Sequence, residues 1–177
     1  MSQPKKMISC RQVNGIAVLV ATICHCNPIP PMISTNPSEH ARDAFVFTLD
    51  FKVRDYECDL QGIVNNSVYQ NYLEHTRHEY LQARGLSFAE LTAQGIYLVV
   101  TRAELDYKKP LRSGDCFWVG LNHQEKSAAR GIFEQQIFRT SDNKLVLNAQ
   151  FTWASITPAG KPISAKAIFN QLSAPTA

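Results

Sequence analysis

Asn65-Asn66-Ser67-Val68-Tyr69-Gln70-Asn71-Tyr72-Leu73-Glu74-His75-Thr76-Arg77-His78-Glu79-Tyr80-Leu81-Gln82-Ala83-Arg84-Gly85 reads as one long helix, and how that helix is buried decides the fold. Asn65, Asn66 or Ser67 can cap it, because their side-chain oxygens accept from the orphan N–H groups of a first turn. Val68, Tyr69, Tyr72, Leu73, Thr76, Tyr80 and Leu81 then recur at helical spacing until Arg84 and a terminating Gly85. The result is about five turns at 3.6 residues per turn.

Working outward, residues 44–53 place Phe45, Phe47, Leu49, Phe51 and Val53 at alternate positions, the period of a half-buried strand. After the helix, Ser87-Phe88-Ala89-Glu90 has the form of a capping box, and Leu91, Ala93 and Gly95 complete a second, shorter helix. Everything beyond it reads as extended: β-type runs cover 96–107, 115–124, 131–139 and 144–156. Short polar turns between long strands imply antiparallel hairpins. A strand, a long amphipathic helix and four more strands predict an α+β domain in which a curved antiparallel sheet wraps the helix, since nothing else can cover its apolar stripe.

A chain of 177 residues with 45% hydrophobic content suits one domain with a real core. Its boundaries are expected at 42–172, with a loosely ordered extension over 1–41 and a frayed tail over 173–177. The extension carries Lys5, Lys6, a short apolar run at 16–24 and Asn27-Pro28-Ile29-Pro30-Pro31, which no regular element accommodates. Its order of parts is faintly like a secretion signal, yet Cys24, His25 and Cys26 stand where small cleavage-site residues belong. Met32 is an alternative start.

The net charge of +3 is scattered along the chain, which argues against a nucleic-acid binder but leaves a small phosphate-bearing partner open. Five cysteines, with no CxxC pair, exclude a disulfide framework or zinc ribbon, and Cys24-His25-Cys26 lacks a second pair of ligands. No metal and no cofactor is expected. No apolar run approaches the roughly 20 residues that span a bilayer. A soluble, cytoplasmic protein is expected, or a stromal one if the source is a photosynthetic eukaryote with plastids.

The chemistry lies in 53–69. A carbonyl held near the start of the long helix would meet unpaired N–H groups and the positive end of the helix dipole. Asp59, seven residues before Asn66, is placed to attack the carbonyl carbon or to activate a water. Gly62 suits a sharp turn beside a ligand. Plainer readings stand beside these: Asp59 as a turn or capping carboxylate, Gly62 as an ordinary turn glycine, and Glu74/His78 and His75/Glu79 as surface pairs. Cys58 adjoins Asp59 on an extended segment and so faces the other way, towards packing. Arg102, Lys108, Lys109 and Arg112 can meet coenzyme A phosphates or the acidic face of a carrier protein, or form a solvated turn.

Asp59-x-x-Gly62-Ile63-Val64-Asn65-Asn66-x-x-Tyr69-x-x-Tyr72-x-Glu74 resembles the signature of hotdog-fold thioesterases of the 4-hydroxybenzoyl-CoA thioesterase class. With Arg77-His78-Glu79 it is most similar to plant and cyanobacterial acyl-ACP thioesterases, and Glu104-Leu105-Asp106-Tyr107-Lys108-Lys109-Pro110-Leu111-Arg112-Ser113-Gly114-Asp115 resembles a second family segment. The resemblance spans about 44–170. It implies hydrolysis of a fatty acyl thioester, on acyl carrier protein or coenzyme A, to an acid and a thiol. It places Asp59 as the catalytic carboxylate and the Asn66 N–H as the carbonyl-polarising group, with Asn65, Tyr69 and Glu74 lining or supporting the site. It also implies a homodimer or homotetramer with the site between subunits. Many bacterial relatives have Tyr-His where Asn65-Asn66 stands, which removes an imidazole but not a backbone donor. Two rivals are a hotdog hydratase or dehydratase, disfavoured by the lack of His between 41 and 74, and a non-catalytic acyl-thioester binder.

Overall fold

The computed structural model describes residues 41–173. The expected extension, its Cys24-His25-Cys26 run and residues 174–177 lie outside the described residues. Strand β1 (Phe47–Lys52) leads through a 3-10 turn (Asp55–Glu57) to helix α1 (Asn66–Ala83) and short α2 (Phe88–Ala93). Strands β2 (Tyr97–Tyr107), β3 (Cys116–Ser127), β4 (Arg130–Arg139) and β5 (Lys144–Ile156) follow, and α3 (Lys166–Ser173) closes the described chain. All five strands form one antiparallel sheet in the order β1-β3-β4-β5-β2. This is the α+β hotdog arrangement, a sheet laid over one long helix.

Asn65 caps α1, its Oδ1 accepting from the Ser67 N–H at 3.0 Å, and Gly85 at φ 71° ends it by adopting the left-handed region without a Cβ penalty. The buried stripe is Tyr69, Tyr72, Leu73, Thr76, Arg77, Tyr80 and Leu81. It packs on the inner faces of β1 and β3 through aromatic contacts: Phe47 with Tyr80 at 5.6 Å, Phe51 with Tyr72 at 5.5 Å, and Phe51 stacked on Phe117 at 5.2 Å. Ring geometry of this kind fixes the helix over one half of the sheet.

Three expectations change. The run 96–107 forms no hairpin with the next strand; β2 pairs with β5 at the far edge. The connection 108–115 is drawn instead to the start of α1, where Val64 N–H donates to the Leu111 carbonyl and Leu111 N–H to the Tyr69 hydroxyl. The first strand is shorter than its alternating pattern, because Phe45 turns to the outer face. There its ring stacks edge-on against Trp118 and Phe138 in the notch left by Gly120, where a Cβ would stand 2.5 Å from the ring. Finally, 166–173 is helical. Ser164 Oγ accepts from Lys166 N–H, Ile168, Phe169 and Leu172 are buried, and the Leu172 carbonyl accepts from the Tyr80 hydroxyl.

Strand β2 carries a bulge. Val100 pairs with Trp153 and Arg102 with Thr152, so Thr101 is an extra residue, its hydroxyl donating to the Thr152 carbonyl at 3.2 Å. Beyond it Ala103, Leu105 and Tyr107 share the inner face of their partners Phe151, Ala149 and Leu147, while Arg102, Glu104 and Asp106 face outward.

Candidate active site

The segment from β1 to α1 folds back on itself. The Asp59 N–H donates to the Ile63 carbonyl at 2.8 Å and the Gly62 N–H to the Asp59 carbonyl at 3.0 Å, closing a turn that needs φ 72° at Gly62. Asp59 Oδ1 accepts from the Gln61 N–H at 2.8 Å, so one carboxylate oxygen steadies the turn. No donor among the described residues reaches Oδ2. Asp59 thus shapes its own turn through one oxygen and leaves the other without a donor among the described residues.

Glu57 ties this turn to the helix. Its buried carboxylate accepts from Arg54 N–H at 2.6 Å and from the Tyr72 hydroxyl at 2.7 Å, and its carbonyl accepts from Asn65 N–H at 3.0 Å. Burial, and then the bond to Glu57, push the Tyr72 phenol well up, so it stays a donor. Asp59 is only two residues along, and its distance from the helix start is set by these bonds.

Asp59, Asn66, Tyr69, Tyr107, Lys108 and Lys109 surround one cleft of about 400 Å³, floored by Ile63, Val64 and Pro110. The Asn66 N–H, one of the groups a helix start leaves free, has no acceptor among the described residues. The Tyr107 hydroxyl donates to the Asn66 carbonyl at 3.1 Å, and burial raises the Tyr69 and Tyr107 phenols, so both remain protonated. Two lysines form the rim: Lys108 pairs with Asp106, and Lys109 has no ion pair among the described residues.

Five of the residues singled out from the sequence thus meet here: Asp59, Asn66, Tyr69, Lys108 and Lys109. Gly62 and Arg112 stand behind the turn, Arg112 Nη1 reaching the Gly62 carbonyl at 3.4 Å, and Asn65 serves as the cap. Arg102 lies apart, paired with Glu104 on the outer face. Glu74 is exposed, 3.9 Å from His78, and lines a different cavity. His75 and Glu79 likewise form an exposed pair at 3.9 Å. Cys58 is half-buried against the core. Tyr107 and Glu57 were not singled out; Tyr107 follows from the inner-face phase of β2, and Glu57 has only its place two residues before Asp59 as a signal. Among the described residues no cluster of His, Cys, Asp or Glu is arranged to hold a metal, and no helix is long and apolar enough to cross a membrane.

Comparison with known proteins gives this geometry a context. The chain is 40% identical over 102 residues to the chloroplastic acyl-acyl carrier protein thioesterase ATL3 of Arabidopsis thaliana, covering 58% of this chain and 54% of that protein. It is 30% identical over 105 residues to the long-chain acyl-CoA thioesterase FadM of Escherichia coli, covering 59% and 79%. A crystal structure of a hypothetical protein from Aquifex aeolicus superposes with a TM-score of 0.67 at 32% identity, covering 72% of this chain and 99% of that one. The chain spans about half the length of the plant relatives it matches. Residues 53–162, which carry the Asp59 turn, α1 and the sheet from β2 to β5, match the profile of the thioesterase-like superfamily, and the chain belongs to that family.

Proposed function

We propose that the protein hydrolyses fatty acyl thioesters, carried on acyl carrier protein or coenzyme A, to a free acid and a thiol. The carrying observation is that Asp59, one of whose oxygens has no donor among the described residues, and Asn66, whose N–H opens α1, line one cleft. The Asn66 N–H, aided by the helix dipole, stabilises the carbonyl oxygen as it becomes negative. Asp59 then acts by one of two routes. As general base it takes a proton from water, whose oxygen attacks the carbonyl carbon while the C–S bond breaks and the thiolate is protonated. As nucleophile it forms an acyl anhydride, expels the thiolate, and is regenerated by water. Lys108 and Lys109, with Arg112 behind the turn, supply positive charge for carrier phosphates or an acidic carrier surface, whereas Arg102 faces away from the cleft. Both named relatives support an acyl thioester substrate, one with each carrier.

The same reading places the protein in the plastid stroma or, in an organism without plastids, in the cytoplasm. It makes the working unit a homodimer or homotetramer, with the unpaired edge of β2 as the junction.

Thiol release from panels of acyl-CoA and acyl-ACP, measured for the wild type and Asp59→Asn, tests the proposal. Turnover should fall by about a hundredfold or more, the range for loss of a positioned acid or base, with an unchanged melting temperature. Equal rates in the two proteins would remove Asp59 from the reaction. Single turnover in ¹⁸O-labelled water gives the nucleophilic route a signature, because label enters Asp59 only when water opens the anhydride at the Asp59 carbonyl carbon.

A further inference from the structure

Arg77 is a buried cation that makes no ion pair among the described residues. It is 8% exposed, and its guanidinium lies 4.0 Å from the centre of the Phe151 ring. Nη1 donates to Gln135 Oε1 at 2.9 Å, while Gln135 Nε2 donates to the Leu73 carbonyl. No carboxylate among the described residues lies within ion-pair distance; Glu74, the nearest along the helix, sits against His78. Burial lowers the Arg77 pKa to about 10 even though Glu74 pulls it up, the mark of a charge held out of water at a cost. Anchoring Gln135 needs only a neutral donor. The charge also meets the Phe151 ring and the field of Glu74, but the guanidinium donors other than the one on Gln135 have no acceptor among the described residues.

Arg77 lines a cavity of about 210 Å³ whose other walls are the polar pair Glu74 and His78 and the apolar Leu81, Phe88, Leu98, Val100, Phe133 and Trp153. The Trp153 indole N–H is also buried without a partner. The cavity and the Asp59 cleft have no lining residue in common but lie along the same two elements: Asn66 and Tyr69, then Arg77 and Leu81, on α1; Tyr107, then Val100 and Leu98, on β2. The main packing of α1 is on β1 and β3; towards β2 the Tyr69 and Tyr107 rings meet at 5.5 Å, at the Asp59 end of the interval. Eleven residues separate Asn66 from Arg77, about 16 Å at 1.5 Å per residue. Side chains lean towards the helix N-terminus, so the gap a ligand must bridge is roughly 10–15 Å. At about 1.2 Å per bond of extended chain, that is on the order of ten bonds.

We propose that this cavity selects acyl groups of about ten chain atoms whose far end carries a hydrogen-bond-accepting oxygen, which Arg77 binds. The proposal rests on the thioesterase reading for the position of the carbonyl. A methyl end would leave the guanidinium donors unmet, whereas a hydroxyl accepts from them without bringing a second anion near Glu74.

The test compares decanoyl-CoA, ω-hydroxydecanoyl-CoA and the mono-CoA thioester of decanedioic acid, with wild type, Arg77→Gln and Arg77→Lys. Gln can still donate to Gln135, so the fold is preserved while the charge is lost. Wild type should prefer an oxygenated end by about tenfold in kcat/KM, as expected for hydrogen bonds to a charged group. Arg77→Gln should reduce that preference to within about twofold, and Arg77→Lys should recover part of it. Val100→Trp, which fills the cavity from the β2 side, should depress all three long substrates but spare butyryl-CoA.

Binding of free ω-hydroxydecanoate gives a readout independent of turnover. It is followed by Trp153 fluorescence in a Trp118→Phe background, which leaves one of the two tryptophans. If no thioester turns over, the Asp59 assignment fails while this titration still decides on Arg77. A preference for the methyl end, a preference unchanged in Arg77→Gln, or a change of oligomeric state in that variant without a change of preference would overturn the proposal.

Discussion

The two sides of α1 are built differently. Towards β1 and β3 the helix is sealed by rings: Phe47, Phe51 and Phe117 interlock with Tyr72 and Tyr80, and Phe117 and Tyr80 have no exposed surface. Towards β2 the sheet's inner face stays open, with Val100 51% and Tyr107 46% exposed. Both sides use apolar residues, so composition does not separate them. The difference is positional. A helix fixed over one half of a sheet leaves the other half as a groove, and the sealed side is what permits the open side to exist.

The sharpest way to break this contrast is on the sealed side. Phe117→Ala should cost about 3–5 kcal/mol of unfolding free energy, whereas Val100→Ala should stay within about 0.5 kcal/mol; urea denaturation compares them. Similar losses from both would mean the two sides carry equal load.

Glu57→Gln should cost about 1 kcal/mol, because one amide oxygen can keep both Arg54 N–H and the Tyr72 hydroxyl, but the amide nitrogen would then face the Arg54 guanidinium that Oε1 accepts from. Its kcat should fall further than its stability predicts, since the same bonds set the position of Asp59. Unaltered kcat would confine Glu57 to a structural role.

On the open side, Tyr107→Phe removes only the bond to the Asn66 carbonyl. Stability should change by less than about 1 kcal/mol and kcat by less than about tenfold. A larger loss would give the phenol a part in the reaction itself.

The smallest effect concerns pH. His123 has its pKa lowered by burial and then by Arg84, and its Nδ1 lies 2.9 Å from the Tyr80 hydroxyl on the sealed side. The unfolded chain takes up this proton near 6.5, before the folded one does. Stability is therefore present above that pH and declines as pH falls through it. Melting curves of the wild type should show this decline, and His123→Gln should flatten it.

Much of this was legible in the chain. The helix announced itself through its cap, stripe and Gly85, and β2 to β5 through β-type runs between polar turns, because those signals are local. The meeting of Asp59 with Asn66 followed from a motif spanning one turn and one helix start. The partner of β2 was not legible: hairpin logic rewards the nearest strand, and the choice of β5 depends on hydrogen bonds that Leu111 makes with Val64 and Tyr69. Phe45 escaped its alternation because Gly120, 75 residues away, provides a notch. Arg77 fell inside the stripe but was passed over, since a charged side chain is rarely buried. Helix α3 was missed although Ser164 and the spacing of Ile168, Phe169 and Leu172 signalled it.

Thr101, the extra residue in β2, has a reach out of proportion to its size. Strand facing is a matter of parity, so removing that one residue would invert everything on one side of it. Arg102, Glu104 and Asp106 would swing under the helix, and Ala103, Leu105 and Tyr107 would swing to the outside. The wall opposite α1 would change from greasy and phenol-tipped to ionic, with no change in the number of rungs its neighbour offers. A gain or loss of a single codon at this point is thus a change of chemistry rather than of length, and an aligned gap there in a related gene would mark a different ligand.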